Sequence, residues 1–209
     1  MRTPRALILL AVPVLLLAAC ATPDQPGNSG DAPGGPSGLG PIAAPGEVIG
    51  QGTVLQKDGD DAQFCLGAVM ESYPPQCSGP VIVGWEWPDD NMYESASGVT
   101  WGTYALAGTW DGVEFAPTQP PIPLALYDPM MEEPDPRSDP ANAGDTSEDV
   151  LLRIQDELSA WTDVVVLASY PDNGYVWATV TYDDGTIQSY LDETYGPDVV
   201  IVQSALGDP

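Results

Sequence analysis

The sequence predicts an α+β protein in which a small all-β region at 47–127 is followed by an α-β-β-α-β region at 148–209. Three observations lead there. From Glu47 to Tyr127 short apolar runs alternate with turn residues, without helical periodicity. From Val150 onward the apolar period lengthens to that of a helix, then returns to strand-like runs. From the end of the first region into the stretch that follows run eight prolines, Pro117 to Pro140, with acids clustered from Asp128 to Asp149.

In the first region, Val48 to Lys57 alternates loosely and ends at the turn Asp58-Gly59-Asp60-Asp61. Pro80 to Trp87 is an apolar run with β-branched and aromatic residues, predicting a second strand. Gly98 to Trp110 and Val113 to Thr118 flank Asp111-Gly112, a dipeptide that supplies the positive φ of a two-residue hairpin turn. Short strands of this kind predict an antiparallel barrel or sandwich, with an OB-like five-stranded barrel among the candidates. Prolines remove backbone donors and like charges repel, so 128–147 reads as an acidic, proline-rich linker without helix or strand.

In the second region, Val150, Leu151, Ile154, Leu158 and Trp161 fall on one helical face. Thr146 or Ser147 supplies the N-cap, and Glu148-Asp149 sit where the helix dipole favours anions. Strands follow at Asp163 to Tyr170 and Tyr175 to Tyr182, joined by the turn Pro171-Asp172-Asn173-Gly174. A short helix over Thr186 to Tyr195 ends at Gly196, and Val199 to Gln203 forms a last strand. This order resembles a ferredoxin-like plait that lacks its first strand.

The chain opens with a basic segment, Met1 to Arg5, followed by the apolar run Ala6 to Leu17 and Ala18-Ala19-Cys20. The run is too short to span a bilayer and reads as an export signal over 1–19. Leu17-Ala18-Ala19-Cys20 resembles the lipobox of bacterial lipoproteins. That resemblance implies that Cys20 carries a thioether-linked diacylglycerol, two chains being enough for stable anchoring. It further implies a lipid-anchored chain on the outer face of the cell membrane. Gly and Pro make up half of 21–46, so the stretch 20–46 reads as a lipidated cysteine with a disordered tether.

Composition narrows the function classes. The chain carries 31 Asp and Glu against 5 Lys and Arg, a formal charge of −26, and no His. Such a field repels phosphate backbones, so no nucleic-acid partner is expected. Without His there is no Ser-His-Asp or Cys-His catalysis and no His-ligated zinc. Asp58-Gly59-Asp60-Asp61 lacks the later bidentate Glu of a calcium loop and reads as a polar turn. Gly144-Asp145-Thr146-Ser147 lacks the glycine of an aspartic-protease motif and reads as a helix cap. No metal, cofactor or catalytic residue is assigned.

Cys65 and Cys77 form an even pair in an exported chain and are expected as a disulfide. Between them Ser72-Tyr73-Pro74-Pro75-Gln76 is stiffened by two prolines. Trp85 and Trp87 flank Glu86, and on a strand the two indoles would share one face while the carboxylate takes the other. They are expected either as a stacking platform or as core. Cys65-Leu66-Gly67, Pro74-Pro75-Gln76-Cys77, Gly84-Trp85-Glu86-Trp87 and Trp101-Gly102-Thr103-Tyr104 resemble an uncharacterised family of actinobacterial-type envelope lipoproteins. So does Leu191 to Pro197, followed by Val199-Val200 and Ser204-Ala205-Leu206. The resemblance implies location and domain plan and supplies no catalytic residues.

The sequence therefore points to a non-enzymatic, lipid-anchored envelope protein with an envelope protein or glycan as partner. Its candidate binding surface is Tyr73, Pro74, Pro75, Trp85 and Trp87. The alternative is an envelope hydrolase that cleaves glycan through paired carboxylates, which would place two acids about 5–10 Å apart in a concave pocket.

Overall fold

The computed structural model of this chain describes residues 39–89, 91–129 and 133–209. The expected export signal at 1–19, the expected lipidation at Cys20 and the stretch 20–38 of the expected tether lie outside the described residues. In chain order the first region contains β1 (Glu47–Lys57), β2 (Gln63–Cys65), β3 (Tyr93–Ala96), β4 (Val99–Trp110), β5 (Phe115–Pro117) and β6 (Ile122–Pro123). The second contains α1 (Glu148–Ser159), β7 (Val166–Asp172), β8 (Tyr175–Val180), α2 (Thr186–Tyr195), β9 (Val200–Ser204) and β10 (Leu206–Gly207). The fold class is mixed α+β, mostly sheet.

The first sheet is organised on one long antiparallel ladder between β1 and β4, from Glu47 opposite Thr109 to Lys57 opposite Val99. Side chains alternate along it, so Val48, Val54, Tyr104 and Leu106 share one face and bury a core with Phe64 and Phe115. The far edge of β4 is taken in series by β3, β6 and β5, and the far edge of β1 by β10 and β2. These pieces are short, and among the described residues the two outer edges are linked only through single bridges, Gln63 to Val81 from β2 and Ile82 to Phe115 from β5, with no strand ladder between them. The sheet stays open where a closed barrel was one expectation.

Two local expectations also change. Asp111 to Glu114 make a longer link than a two-residue hairpin: the Asp111 carboxylate accepts from the backbone N–H of Val113 (2.8 Å) and Glu114 (2.7 Å). The side chain, together with Gly112, closes the turn. Pro80 to Trp87 is not a strand, having only single bridges at Val81 and Ile82. Pro80 has no N–H to contribute to a ladder, and Gly84 at φ +68° bends the chain out of extended geometry.

The second region follows the expected α-β-β-α-β order. Leu151, Ile154 and Leu158 of α1 and Ile187 and Leu191 of α2 pack on Val176, Ala178 and Val180 of β8. The β7–β8 hairpin turns on Asn173 and Gly174, both at positive φ (50° and 83°), the geometry of a type I′ turn. After α2 crosses over, β9 pairs with β8 in parallel. Helix glutamines attend to both outer strands. Gln188 donates to the Val200 carbonyl and accepts from the Val202 N–H, both at 2.9 Å, imitating a neighbouring strand. Gln155 donates to the Ser169 carbonyl at 2.6 Å.

Chain ends tie the regions together. Past Ser204 the chain leaves the second sheet and, as β10, joins the first beside β1. Leu206 opposes Gly50, is fully buried in the first core, and would be only 2.6 Å from a Cβ on Gly50. Glycine there seats this side chain without pressing on Leu206, Leu66 or Phe64. In the other direction, Leu39 and Ile42 pack against the second core, and the Trp110 Nε1–H donates to the Ile42 carbonyl at 2.8 Å. The last residues of the expected tether are thus part of the fold, because they carry the apolar side chains its earlier stretch lacks.

Of the expected linker at 128–147, the stretch 133–147 is also docked. It holds two 3-10 turns, Pro136–Ser138 and Pro140–Asn142, whose prolines and preceding aspartates start each turn. Asn173 donates to the carbonyls of Arg137 and Asp139, and the Tyr175 hydroxyl donates to that of Asn142, each at 2.8 Å. Arg137 donates to Asp135 and to Asp198, binding the segment to the loop before β9. Side-chain hydrogen bonds and one arginine supply what a β ladder cannot in a proline-rich segment.

Leu206→Ala is expected to cost about 2–5 kcal/mol in denaturant unfolding, as for deletion of a fully buried leucine. The Arg137 guanidinium holds the Asp135 carboxyl at about 2, below its ordinary 3.8. A lowered native value means the contact stabilises docking above 3.8 and loses that contribution as pH falls towards 2. Hydrogen exchange at the Gly144 amide, bonded to the Asn173 carbonyl at 2.8 Å, should accelerate over that interval relative to core amides.

Candidate functional site

The Cys65–Cys77 disulfide closes a loop over a sequence separation of 12, with Cα atoms 6.0 Å apart. Cys65 is buried at the end of β2, so the crosslink roots the loop in the first sheet. Within the loop the Met70 N–H donates to the Gln76 carbonyl (2.8 Å), and the Ser72 hydroxyl donates to the Pro74 carbonyl (2.9 Å). Pro74 and Pro75 are half-buried. Tyr73 is not: it is 74% exposed, with its ring edge-on to Trp101 at 5.4 Å. Met70 beside it is 64% exposed. A large aromatic held by a crosslink, a turn and a ring contact has lost much of the freedom that binding would otherwise cost.

Trp85 and Trp87 form a second aromatic group. Their rings meet edge to face at 5.4 Å, Trp85 packs on Tyr104, and Trp87 lies 5.0 Å from Tyr93. The Trp87 Nε1–H donates to the Gln56 side chain at 2.7 Å. Both indoles are half-buried against the first core, while Glu86 is exposed. The indoles therefore meet without the strand alternation expected to align them, because the bent segment folds over Tyr104.

The two groups do not make one surface. Tyr93 opposes Gly102 and shares the face of Tyr104, whereas Trp101 points from the other face of β4. Tyr73 thus stands on one side of the sheet and the Trp85–Trp87 pair on the other. Trp101 is the partner that the residue-by-residue reading missed. Its signal was the alternation Trp101-Gly102-Thr103-Tyr104, which puts the two aromatics on opposite faces.

A third feature has no counterpart in the sequence reading. A cleft of about 420 Å³ opens between the two layers. Its walls include Trp110 and Val113 from the first region and Val164, Val165, Val180 and Ile187 from the second. Asp163 is the one charged residue in its lining. A shallower depression of about 310 Å³ at the start of α1 includes two exposed acids, Glu148 and Asp172.

No protein-family model matches this chain, and no curated protein or solved structure matches it significantly. Among the described residues no three Cys, Asp or Glu side chains are grouped to hold a metal ion. Asp58 to Asp61 form the turn after β1, with the Asp60 N–H donating to the Lys57 carbonyl at 3.0 Å.

Replacing both Cys65 and Cys77 by alanine is expected to lower unfolding free energy by about 2–4 kcal/mol, the usual range for a native crosslink. Denaturant titration of oxidised wild type against the double variant measures it. The sharper local readout is Tyr73, whose ring signals should lose their contact with Trp101.

Proposed function

We propose that this chain is a lipid-anchored protein of the bacterial cell envelope that works by binding a protein partner through the disulfide loop. The lipobox-like Leu17-Ala18-Ala19-Cys20 supports the anchor, and the observation that carries the binding site is Tyr73. It is a largely exposed aromatic on a crosslinked loop, backed by Trp101 and flanked by exposed Val69 and Met70. Rigid aromatics with an apolar surround are the usual anchors of protein interfaces. Trp85 and Trp87 serve as packing for the first core and lie outside this interface. Binding is preferred to glycan hydrolysis because the larger cleft includes a single carboxylate, Asp163, and the depression that includes two, Glu148 and Asp172, leaves both exposed to water, without the burial that keeps a general acid protonated. We read the second layer as a ferredoxin-like plait without its first strand, a reading supported by the order α1-β7-β8-α2-β9; β9 pairs directly and in parallel with β8, in the place the missing strand would take.

Two measurements test this function. Cys20→Ser should move the chain from the membrane fraction to the soluble fraction, and unchanged partition overturns the anchor. A photo-crosslinking residue at position 73 of the full chain in intact cells should capture one discrete protein. The same residue at position 126, where Leu126 is 69% exposed, should not. Capture should fall at least tenfold with Met70→Asp, in line with an anchor residue worth about 2 kcal/mol or more. Equal labelling from both positions, or a heterogeneous adduct sensitive to glycan hydrolases, overturns the protein-partner reading.

A further inference from the structure

We propose that the cleft between the two layers binds a small single-chain amphiphile with an amine head group. Its volume of about 420 Å³ falls within the usual range of small-ligand pockets, roughly 300–1,000 Å³. At about 30 Å³ per water-sized atom, that accommodates on the order of a dozen heavy atoms. The walls are mostly apolar, with Ser78, Thr181 and Tyr182 among them, and come from two independently packed cores, Trp110 from the first and Val180 and Ile187 from the second. Where the layers meet, Pro41, Gly79 and Gly112 line the space; a Cβ on Gly112 would be 2.7 Å from Pro41, so glycine there lets the chain segments approach closely beside the cleft.

The mouth defines the ligand's head. Val113 from the loop after β4 and Val165 from the loop before β7 are 60% and 64% exposed and line the same cleft. Two β-branched side chains left in water on facing layers are what an alkyl chain would cover. Asp163, also exposed, stands two residues from Val165 and is the one charge in the lining. The chain's formal charge of −26 reinforces it by concentrating cations and repelling carboxylate or phosphate heads. An alkylammonium ion satisfies both halves of the site, its chain against the valines and its head on Asp163.

The probes are decylamine and decanoate, which share a chain length and differ in head charge, added below their micellar concentrations to the full chain. Methyl signals of Val113 and Val165 report the cleft. Decylamine should shift both saturably and bind at least tenfold more tightly than decanoate. Asp163→Asn should narrow that preference, and Val165→Trp should abolish the saturable shift of Val113. The Leu158 methyls in the second core should stay in place, showing that the variant is folded. Val113→Trp, read at Val165, repeats the block from the opposite layer. The proposal is overturned if neither probe gives a saturable shift or if decanoate binds as tightly as the amine. It is also overturned if the preference survives Asp163→Asn, or if amine binding survives both tryptophan variants, which is adsorption to an acidic surface.

Discussion

Everything in the first region hangs on the pairing of β1 with β4. Eleven consecutive residues of β1 face β4 in register, from Glu47 to Lys57. No other pair of strands approaches this length, and most of the others in that sheet are two to four residues long. Such fragments cannot hold their own register; each is positioned by the ladder it joins. The ladder also sets which side of the sheet each aromatic occupies. Tyr104 is committed to the core and Trp101 to the opposite face, and Tyr73 finds its ring partner only because of that alternation.

The same ladder couples the two regions. β10 comes from the far end of the chain, yet it completes the sheet beside β1, with Leu206 seated over Gly50. Leu39 and Ile42 precede β1 and help cover the second core. Each core is therefore finished by residues from the other side of the sequence, and the described residues belong to one compact unit. The cleft is a consequence of this arrangement. Two layers held together at the chain ends and by Trp110 leave an apolar gap where proline and glycine line the junction.

Charge shapes the surface differently from what composition alone suggested. The acids do not gather into a metal-binding cluster among the described residues. Several act on nearby backbone: Asp111 closes a turn, Asp135 and Asp139 start 3-10 turns, and Asp183 accepts from the Ile187 and Gln188 N–H groups at the start of α2. Arg137, one of few cations, is shared between Asp135 and Asp198. The stretch 133–147 is consequently ordered by its own aspartates and one arginine, even though like charges there repel.

What was legible in the sequence was local. α1 announced itself by apolar spacing and by acids in its first turn, α2 by Gly196 after it, and the β7–β8 hairpin by Asn173-Gly174. The disulfide was legible because two cysteines remained to pair. Short-range features of this kind are decided by backbone propensity and turn chemistry within a few residues. The tertiary structure alone decided the rest. It bent Pro80 to Trp87 out of a strand, carried Leu206 into the first core, separated Tyr73 from Trp85 and Trp87, and opened the cleft beside Asp163. Each of these depends on contacts between residues far apart in sequence, whose register is set by the side chains they meet and is not encoded in any one segment.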